Sequence, residues 1–152
     1  MSPRKSGNAG TSIKKATKGK VRNATPTTYD KINFKSKLEV FCYKLLLKNN
    51  IEANYEKHKF IILDSFKYND EAVRQMTFKP DFVVLDEFVI ECKGWANESF
   101  PLRWKFFKHF LYQNSIQLDL YLPRNQKQVI EAVETILRKR EEKRKREELL
   151  QS

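Results

Sequence analysis

Sixteen residues, Lys79-Pro-Asp-Phe-Val-Val-Leu-Asp-Glu-Phe-Val-Ile-Glu-Cys-Lys-Gly94, constrain this chain more than any other stretch. They read as two short apolar strands joined by a tight acidic turn, within a hairpin spanning 76–85 and 88–93. A strand interior excludes unpaired charge, because desolvating a charge costs more than packing returns. Yet Asp81 opens the first strand, and Glu91 and Lys93 end the second. The charged end of this hairpin must be satisfied from within or by a ligand.

Alternation along a strand puts Glu91 and Lys93 on one face and Cys92 on the other. Cys92 is then a small buried hydrophobe, and only its backbone can serve a site. Directly opposed residues of an antiparallel pair share a face, so Asp81 joins Glu91 only if the loop between the strands has an odd number of residues. A three-residue Leu85-Asp86-Glu87 loop pairs Val84 with Phe88 and Asp81 with Glu91. A two-residue Asp86-Glu87 turn would split the charges between faces. The expectation is an odd loop, or a compensating bulge.

Upstream, Ser36-Lys37-Leu38-Glu39 fits a capping box, with Glu39 reaching back to the Ser36 N–H. Leu38, Phe41, Cys42 and Leu45 recur at helical spacing and are expected to face the core, and Asn49-Asn50 supplies the stop. Phe60-Ile61-Ile62-Leu63 is the apolar centre of a strand, and Tyr68-Asn69-Asp70 reads as a turn. Past Gly94, Ser99 and Pro101 open a second helix with Leu102, Phe106, Phe107, Phe110 and Leu111 on its apolar face. Ile116, Leu118 and Leu120 alternate with polar residues as a half-buried strand. A last helix from about Gln126 carries the stripe Val129, Ile130, Val133, Ile136, Leu137 and then a charged run, Arg138 to Arg146, that reads as a solvated helix end. The order helix, strand, hairpin, helix, strand, helix predicts an α/β fold: a mixed central sheet flanked by helices, with a long C-terminal helix.

Charge is unevenly placed along the 152 residues. The net +11 divides into seven Lys/Arg against one acid in residues 1–30, fourteen against twelve in 31–123, and nine against six in 124–152. Residues 1–28, rich in Ser, Thr, Gly and Lys, are expected to be a disordered basic tail, 29–123 the domain, and 124–152 a basic helix. Lys14, Lys15, Lys18, Lys20 and Arg22 can contact phosphates without fixed structure, and a solubilising role explains the same tail equally well. Two cysteines make no disulfide framework. With no signal peptide and no apolar run of membrane-spanning length, the expected location is cytoplasmic.

Asp81 and Glu91 are hard oxygen donors, and the Cys92 carbonyl can add a third ligand. Such a set suits Mg²⁺, which polarises phosphate and activates water. Lys93 can orient that water and stabilise developing charge. An ordinary Lys–acid salt bridge explains any single pair, but not Pro-Asp, a strand, and Glu-x-Lys-Gly in succession.

Pro80-Asp81 followed by Glu91-Cys92-Lys93 resembles the PD-(D/E)XK nuclease superfamily. With Ser36-x-x-Glu39 on an early helix and Asp119 on a later strand, residues 29–123 are similar to the phage endonuclease I group of Holliday-junction resolvases and to related phage nuclease-like proteins. The resemblance implies a restriction-endonuclease-like core and a Mg²⁺-dependent endodeoxyribonuclease, with Mn²⁺ able to substitute. It implies Asp81 and Glu91 as metal ligands, Lys93 as the water-positioning lysine, and Glu39 as a further acid near the metal. The capping box accounts for Glu39 as well. Arg103, Lys105 and Lys108 are implied at scissile-strand phosphates, with a solvated helix face as the alternative. A homodimer acting on branched DNA is implied too, in the host cytoplasm if the chain is phage-encoded. The long helix after Pro123 and the region from Ile51 to Met76 lie outside the pattern. A nicking, restriction-type or transposase-like nuclease, or a non-catalytic DNA-binding protein on the same fold, are the alternatives.

If the tail supplies long-range attraction to DNA, deleting residues 1–28 weakens affinity and flattens its dependence on salt. An unchanged salt slope in a DNA-binding titration would make the tail a bystander.

Overall fold

A computed structural model describes residues 25–93 and 97–152. The five basic tail residues proposed for phosphate contact, and Gly94 and Trp95 after the motif, lie outside the described residues. The fold is mixed α/β with three helices and ten short strands among the described residues.

A first hairpin, β1 (Thr27–Tyr29) and β2 (Ile32–Phe34), turns through Asp30 and Lys31, both at positive φ. Thr27 and Thr28, inside the segment expected to be tail, are thus in a strand, because β1 has a partner to hydrogen-bond. Helix α1 (Lys37–Lys48) follows, capped by Ser36 and stopped at Asn49, with Asn50 at φ 55°. Its buried face is Val40, Cys42, Tyr43 and Leu46, with Leu38, Phe41 and Leu45 only partly covered. The helix is rotated from the expected stripe because Tyr43 is drawn inward, stacking near Phe82 and donating its hydroxyl to Asp30 Oδ2 at 2.8 Å.

The chain then forms β3 (Asn54–Tyr55), β4 (Phe60–Leu63), β5 (Phe66–Tyr68), β6 (Glu71–Val73), β7 (Met76–Phe78), β8 (Phe82–Val84) and β9 (Phe88–Ile90). The turn at Asn69-Asp70 closes the β5–β6 ribbon as expected, with both residues at positive φ. Residues 76–85 are not one strand. Pro80 cannot donate to a ladder, and Lys79-Pro80 separates β7, which pairs with β4, from β8, which belongs to the central sheet. Helix α2 (Phe100–Gln113), β10 (Asp119–Tyr121) and α3 (Gln126–Gln151) complete the chain.

The central sheet has the order β10-β9-β8-β3, with β10 parallel to β9 and the other neighbours antiparallel. Its two faces are both apolar. Phe82, Phe88 and Ile90 point to α1 and α3, where Leu46, Val129 and Val133 meet them together with Phe34 of β2. Val83 and Val89 point to α2 and the β4–β7 pair, against Ile62, Phe78, Phe107 and Leu111. Burial on both faces explains why the hairpin strands read as continuous apolar runs rather than as alternation.

The first half of α3 belongs to this core. Val129, Ala132, Val133 and Ile136 are buried, while Ile130 is exposed, so Ala132 takes the place expected for Ile130. Nor is the basic run wholly solvated. Arg140 grips Glu87 of the β8–β9 loop in a bidentate pair, Nε to Oε1 at 2.5 Å and a terminal nitrogen to Oε2 at 2.8 Å. Lys139 reaches Asp119 Oδ2 on β10 at 2.7 Å. The helix is thereby tied to the β8–β9 loop and to β10.

Glu87 and Arg140 are each about one-third exposed, so solvent weakens their attraction. A double-mutant cycle with Glu87→Gln and Arg140→Ala, read by urea unfolding, is expected to give a coupling of about 0.5–1 kcal/mol that shrinks at high salt. Zero coupling would mean that the apolar stripe alone holds α3.

Candidate active site

Everything at the site follows from the β8–β9 register. Phe82 faces Ile90, Val83 faces Val89 and Val84 faces Phe88, leaving the three-residue loop Leu85-Asp86-Glu87. Asp86 takes φ 63°, and Glu87 N–H donates to Val84 O at 3.1 Å. One step beyond the paired residues, Asp81 lies opposite Glu91, on the face of Val83 and Val89. The odd loop required for a shared face is the one observed.

The two acids are fastened to each other's strands. Cys92 N–H donates to Asp81 Oδ2 at 2.7 Å, and Asp81 N–H donates to Glu91 Oε2 at 3.1 Å. Glu91 and Lys93 continue the ladder toward β10 through Glu91 N–H to Tyr121 O at 3.0 Å and Lys93 N–H to Pro123 O at 2.9 Å. Asp81 and Glu91 are 5% and 4% exposed, burial normally denied to carboxylates. Lys93 Nζ sits 2.9 Å from Glu91 Oε1 and 4.7 Å from the centre of the Phe100 ring. The ammonium is held between a carboxylate and an aromatic face.

Burial, and then the negative charge of Glu91 and Glu39, push the Asp81 carboxyl well above the usual carboxylate range, against the pull of the Cys92 amide and Lys93. Glu91 is also raised, chiefly by burial, with the Lys93 ammonium opposing. Cys92 points away from the site, free and buried beside Cys42, with its thiol pushed up by that neighbour and by burial.

Glu39 reaches the same cavity from α1. Its Oε1 accepts from Ser36 Oγ at 3.0 Å, while Oε2 accepts from Lys35 N–H at 2.9 Å and from Tyr55 Oη at 2.5 Å. The expected return bond to the Ser36 N–H is displaced by one residue to Lys35. Both oxygens are engaged in the cap and in Tyr55. Burial, together with the bond to Glu39, raises the Tyr55 hydroxyl, keeping it a donor.

These groups line one cavity of about 360 Å³, with Asp81, Glu91, Lys93 and Glu39 around its interior. Arg103 also lines it, whereas Lys105 and Lys108 are exposed on α2 and not part of its wall. Among the lining groups not singled out by the sequence are Lys35, Glu56, Lys79 and Phe100. Lys79 adjoins Pro80-Asp81 and so carried a signal. Glu56, just past a two-residue strand, carried none. At the start of α2, Ser99 holds the N-cap position but makes no side-chain cap bond, and it is Asn97 Oδ1 that accepts from Phe100 N–H at 2.9 Å. That contact holds the Phe100 ring under Lys93.

Among the described residues, no group of three or more His, Cys, Asp or Glu side chains is arranged to hold a metal ion. The donor chemistry nevertheless suits a hard cation. Two buried carboxylates lie together, with Asp81 driven upward by burial and then by neighbouring negative charge, and oxygen donors favour Mg²⁺ or Ca²⁺ over softer metals. Asp81 and Glu91 would be the side-chain ligands, with Glu39 in the same lining.

The chain belongs to the family described as protein of unknown function (DUF1064), whose model matches residues 19–127. That match spans the hairpin, the cavity and β10, and ends at the start of α3. No curated protein and no solved structure gives a match. Among the described residues, no helix is long and apolar enough to cross a membrane.

A carboxyl raised by burial holds its proton more tightly folded than unfolded. The folded state is therefore favoured at acid pH and loses that advantage as pH rises from the ordinary carboxylate value through the raised one. In EDTA, Asp81→Asn is expected to melt above wild type at pH 7, with the gap closing toward pH 4 in a thermal-unfolding series. A variant less stable than wild type at neutral pH would show that Asp81 is held there by interactions that outweigh its burial.

Proposed function

We propose that the protein is a metal-dependent endodeoxyribonuclease. The observation that carries this reading is the pairing of Asp81 with Glu91 across the β8–β9 ladder, with Lys93 beside Glu91 at the floor of an open cavity. The pattern resembles the PD-(D/E)XK nucleases, and the spacing that a shared site demands is met by the three-residue loop. A structural salt bridge would need one acid for one lysine. Two buried acids and a raised carboxyl are an arrangement that costs stability and calls for a cation.

Asp81 and Glu91, with the Cys92 carbonyl, would hold a divalent cation such as Mg²⁺, or Mn²⁺ in its place. When bound, that ion would polarise a phosphoryl oxygen and make an attacking water more acidic. The chain's own contribution is placement. The Cys92 amide fixes Asp81, and the Asp81 amide fixes Glu91. Lys93, braced on Phe100, presents its N–H groups where a water or a phosphate oxygen can accept them, stabilising charge as it develops. Arg103 stands at the cavity wall from α2, within the reach of substrate phosphates. Branched DNA as the preferred substrate, and a homodimer that cuts two symmetric strands, are the finer parts of the same proposal.

The test is incubation with linear duplex, single-stranded and four-way-junction DNA, in Mg²⁺ and in EDTA. Cleavage in Mg²⁺ alone is expected, with Lys93→Ala slower by about 10²–10³-fold. Mg²⁺ is also expected to raise the melting temperature of wild type and not that of Asp81→Asn, a readout independent of turnover. Absence of metal-dependent cleavage on all three substrates would end the enzyme reading. Equal rates on duplex and junction would end the branched-DNA part of it.

A further inference from the structure

The cavity has a second pair of cations besides Lys93 and Arg103, drawn from two distant parts of the chain. Lys35 precedes the cap of α1, and Lys79 precedes Pro80-Asp81. Both line the cavity, and both are paired with Glu56, Lys35 closely and Lys79 at 3.6 Å. The two lysines are 68% and 45% exposed at their side chains, while Glu56 is 16% exposed. The carboxylate is sunk in the wall and the ammonium groups stand at its rim.

Glu56 is placed with some care. It follows β3 at φ 46°, a left-handed conformation that costs a non-glycine residue about 1–2 kcal/mol. Its N–H donates to Asp81 O at 2.8 Å, extending the β3–β8 ladder to the acid of the site. The backbone is thus locked where its side chain can gather two lysines. Lys35 is tied to the site as well, since its own N–H holds Glu39. Surface lysines ordinarily wander, and fixing two of them around one partly buried acid has an entropic cost. A bound polyanion offsets that cost, because it finds its cations already in place.

Charge balance points the same way. Four acids, Glu39, Glu56, Asp81 and Glu91, face four cations, Lys35, Lys79, Lys93 and Arg103. The cavity is formally neutral, so a single divalent cation would turn it net positive. Cations from several parts of the chain then share the lining with the acids, which suits a strand whose phosphates recur beyond the reacting one.

We propose that Lys35 and Lys79, yoked by Glu56, form a backbone-phosphate subsite of this cavity. The subsite rests on the nuclease reading and adds phosphate contacts to it.

The experiment measures binding rather than cleavage. The full chain carrying Lys93→Ala, in Mg²⁺, is titrated onto a labelled DNA duplex by fluorescence anisotropy between about 50 and 200 mM KCl. It is compared with the same chain bearing Lys35→Ala and Lys79→Ala, and with one bearing Lys44→Ala and Lys48→Ala. The control pair removes equal charge from the far half of α1. Circular dichroism confirms that each variant is folded, and Lys35→Gln/Lys79→Gln replaces the alanine pair if it is not. The rim variant is expected to lower the slope of log K against log salt by about 1.8, two phosphate contacts, with the control nearly unchanged. An unchanged slope in the rim variant, or an equal fall in both, would overturn the subsite while leaving the nuclease reading in place. No DNA binding by the parent would remove both.

Discussion

The register of β8 on β9 is the constraint from which the site descends. A strand offers two faces and no intermediate setting, so one residue more or less in the Leu85-Asp86-Glu87 loop would move Asp81 to the face of Ile90 and Cys92. There it would meet the apolar core under α1 and α3. In the observed register, the two acids share a face, exchange backbone hydrogen bonds with each other's strands, and stand where α2 begins. Arg140 reinforces this by holding Glu87, the last residue of the loop, from a helix whose other half is in the core. The C-terminal helix thus bears on the geometry of a site it never touches.

Two cores on opposite faces of one sheet explain why the site lies at the sheet's end. Phe82 and Ile90 are covered by α1 and α3, and Val83 and Val89 by α2 and the β4–β7 pair. Neither face has room for a polar cluster along its length. Past Phe82 and Ile90 the layers separate, and the starts of α1 and α2 approach from the two sides. The first contributes Glu39 and Lys35, the second Phe100 and Arg103. Helix starts favour negative charge nearby through their unpaired N–H groups, so Glu39 can remain at a site already crowded with acids. Tyr55 and the Lys35 amide share that task.

Local patterns were legible in the sequence, and long-range partnerships were not. The hairpin loop, the Ser36 cap, the Asn50 stop and the Asn69-Asp70 turn each depend on a few adjacent residues whose chemistry admits few conformations. The alternation that places Asp81 with Glu91 and turns Cys92 away is of the same kind. By contrast, the division of residues 76–85 into strands of two sheets depended on which partner each half would find. So did the inward rotation of Tyr43, the exchange of Ile130 for Ala132, and the use of Lys139 and Arg140 as ties rather than as a solvated end. Ser99 holds the N-cap position of α2 as expected, but it is the Asn97 side chain, two residues earlier, that accepts the Phe100 N–H.

Glu56 shows where such reading stops. Nothing adjacent to it signals chemistry: it ends a two-residue strand and is followed by Lys57 and His58. Its place is set by β3 pairing with β8, which brings its N–H to Asp81 O, and by a left-handed backbone that no nearby glycine relieves. Backbone strain at a non-glycine residue persists only where surrounding contacts over-determine it. Here those contacts are Asp81 on one side and two lysines on the other. The buried acids of the site share this character, since each is stabilised by its immediate bonds yet disfavoured by its surroundings. A chain selected for stability alone would replace them with the apolar residues that fill the rest of both strands. Their presence at one end of an otherwise apolar hairpin is a stability cost, concentrated in one 360 Å³ cavity, and a cost so localised is the physical mark of a site.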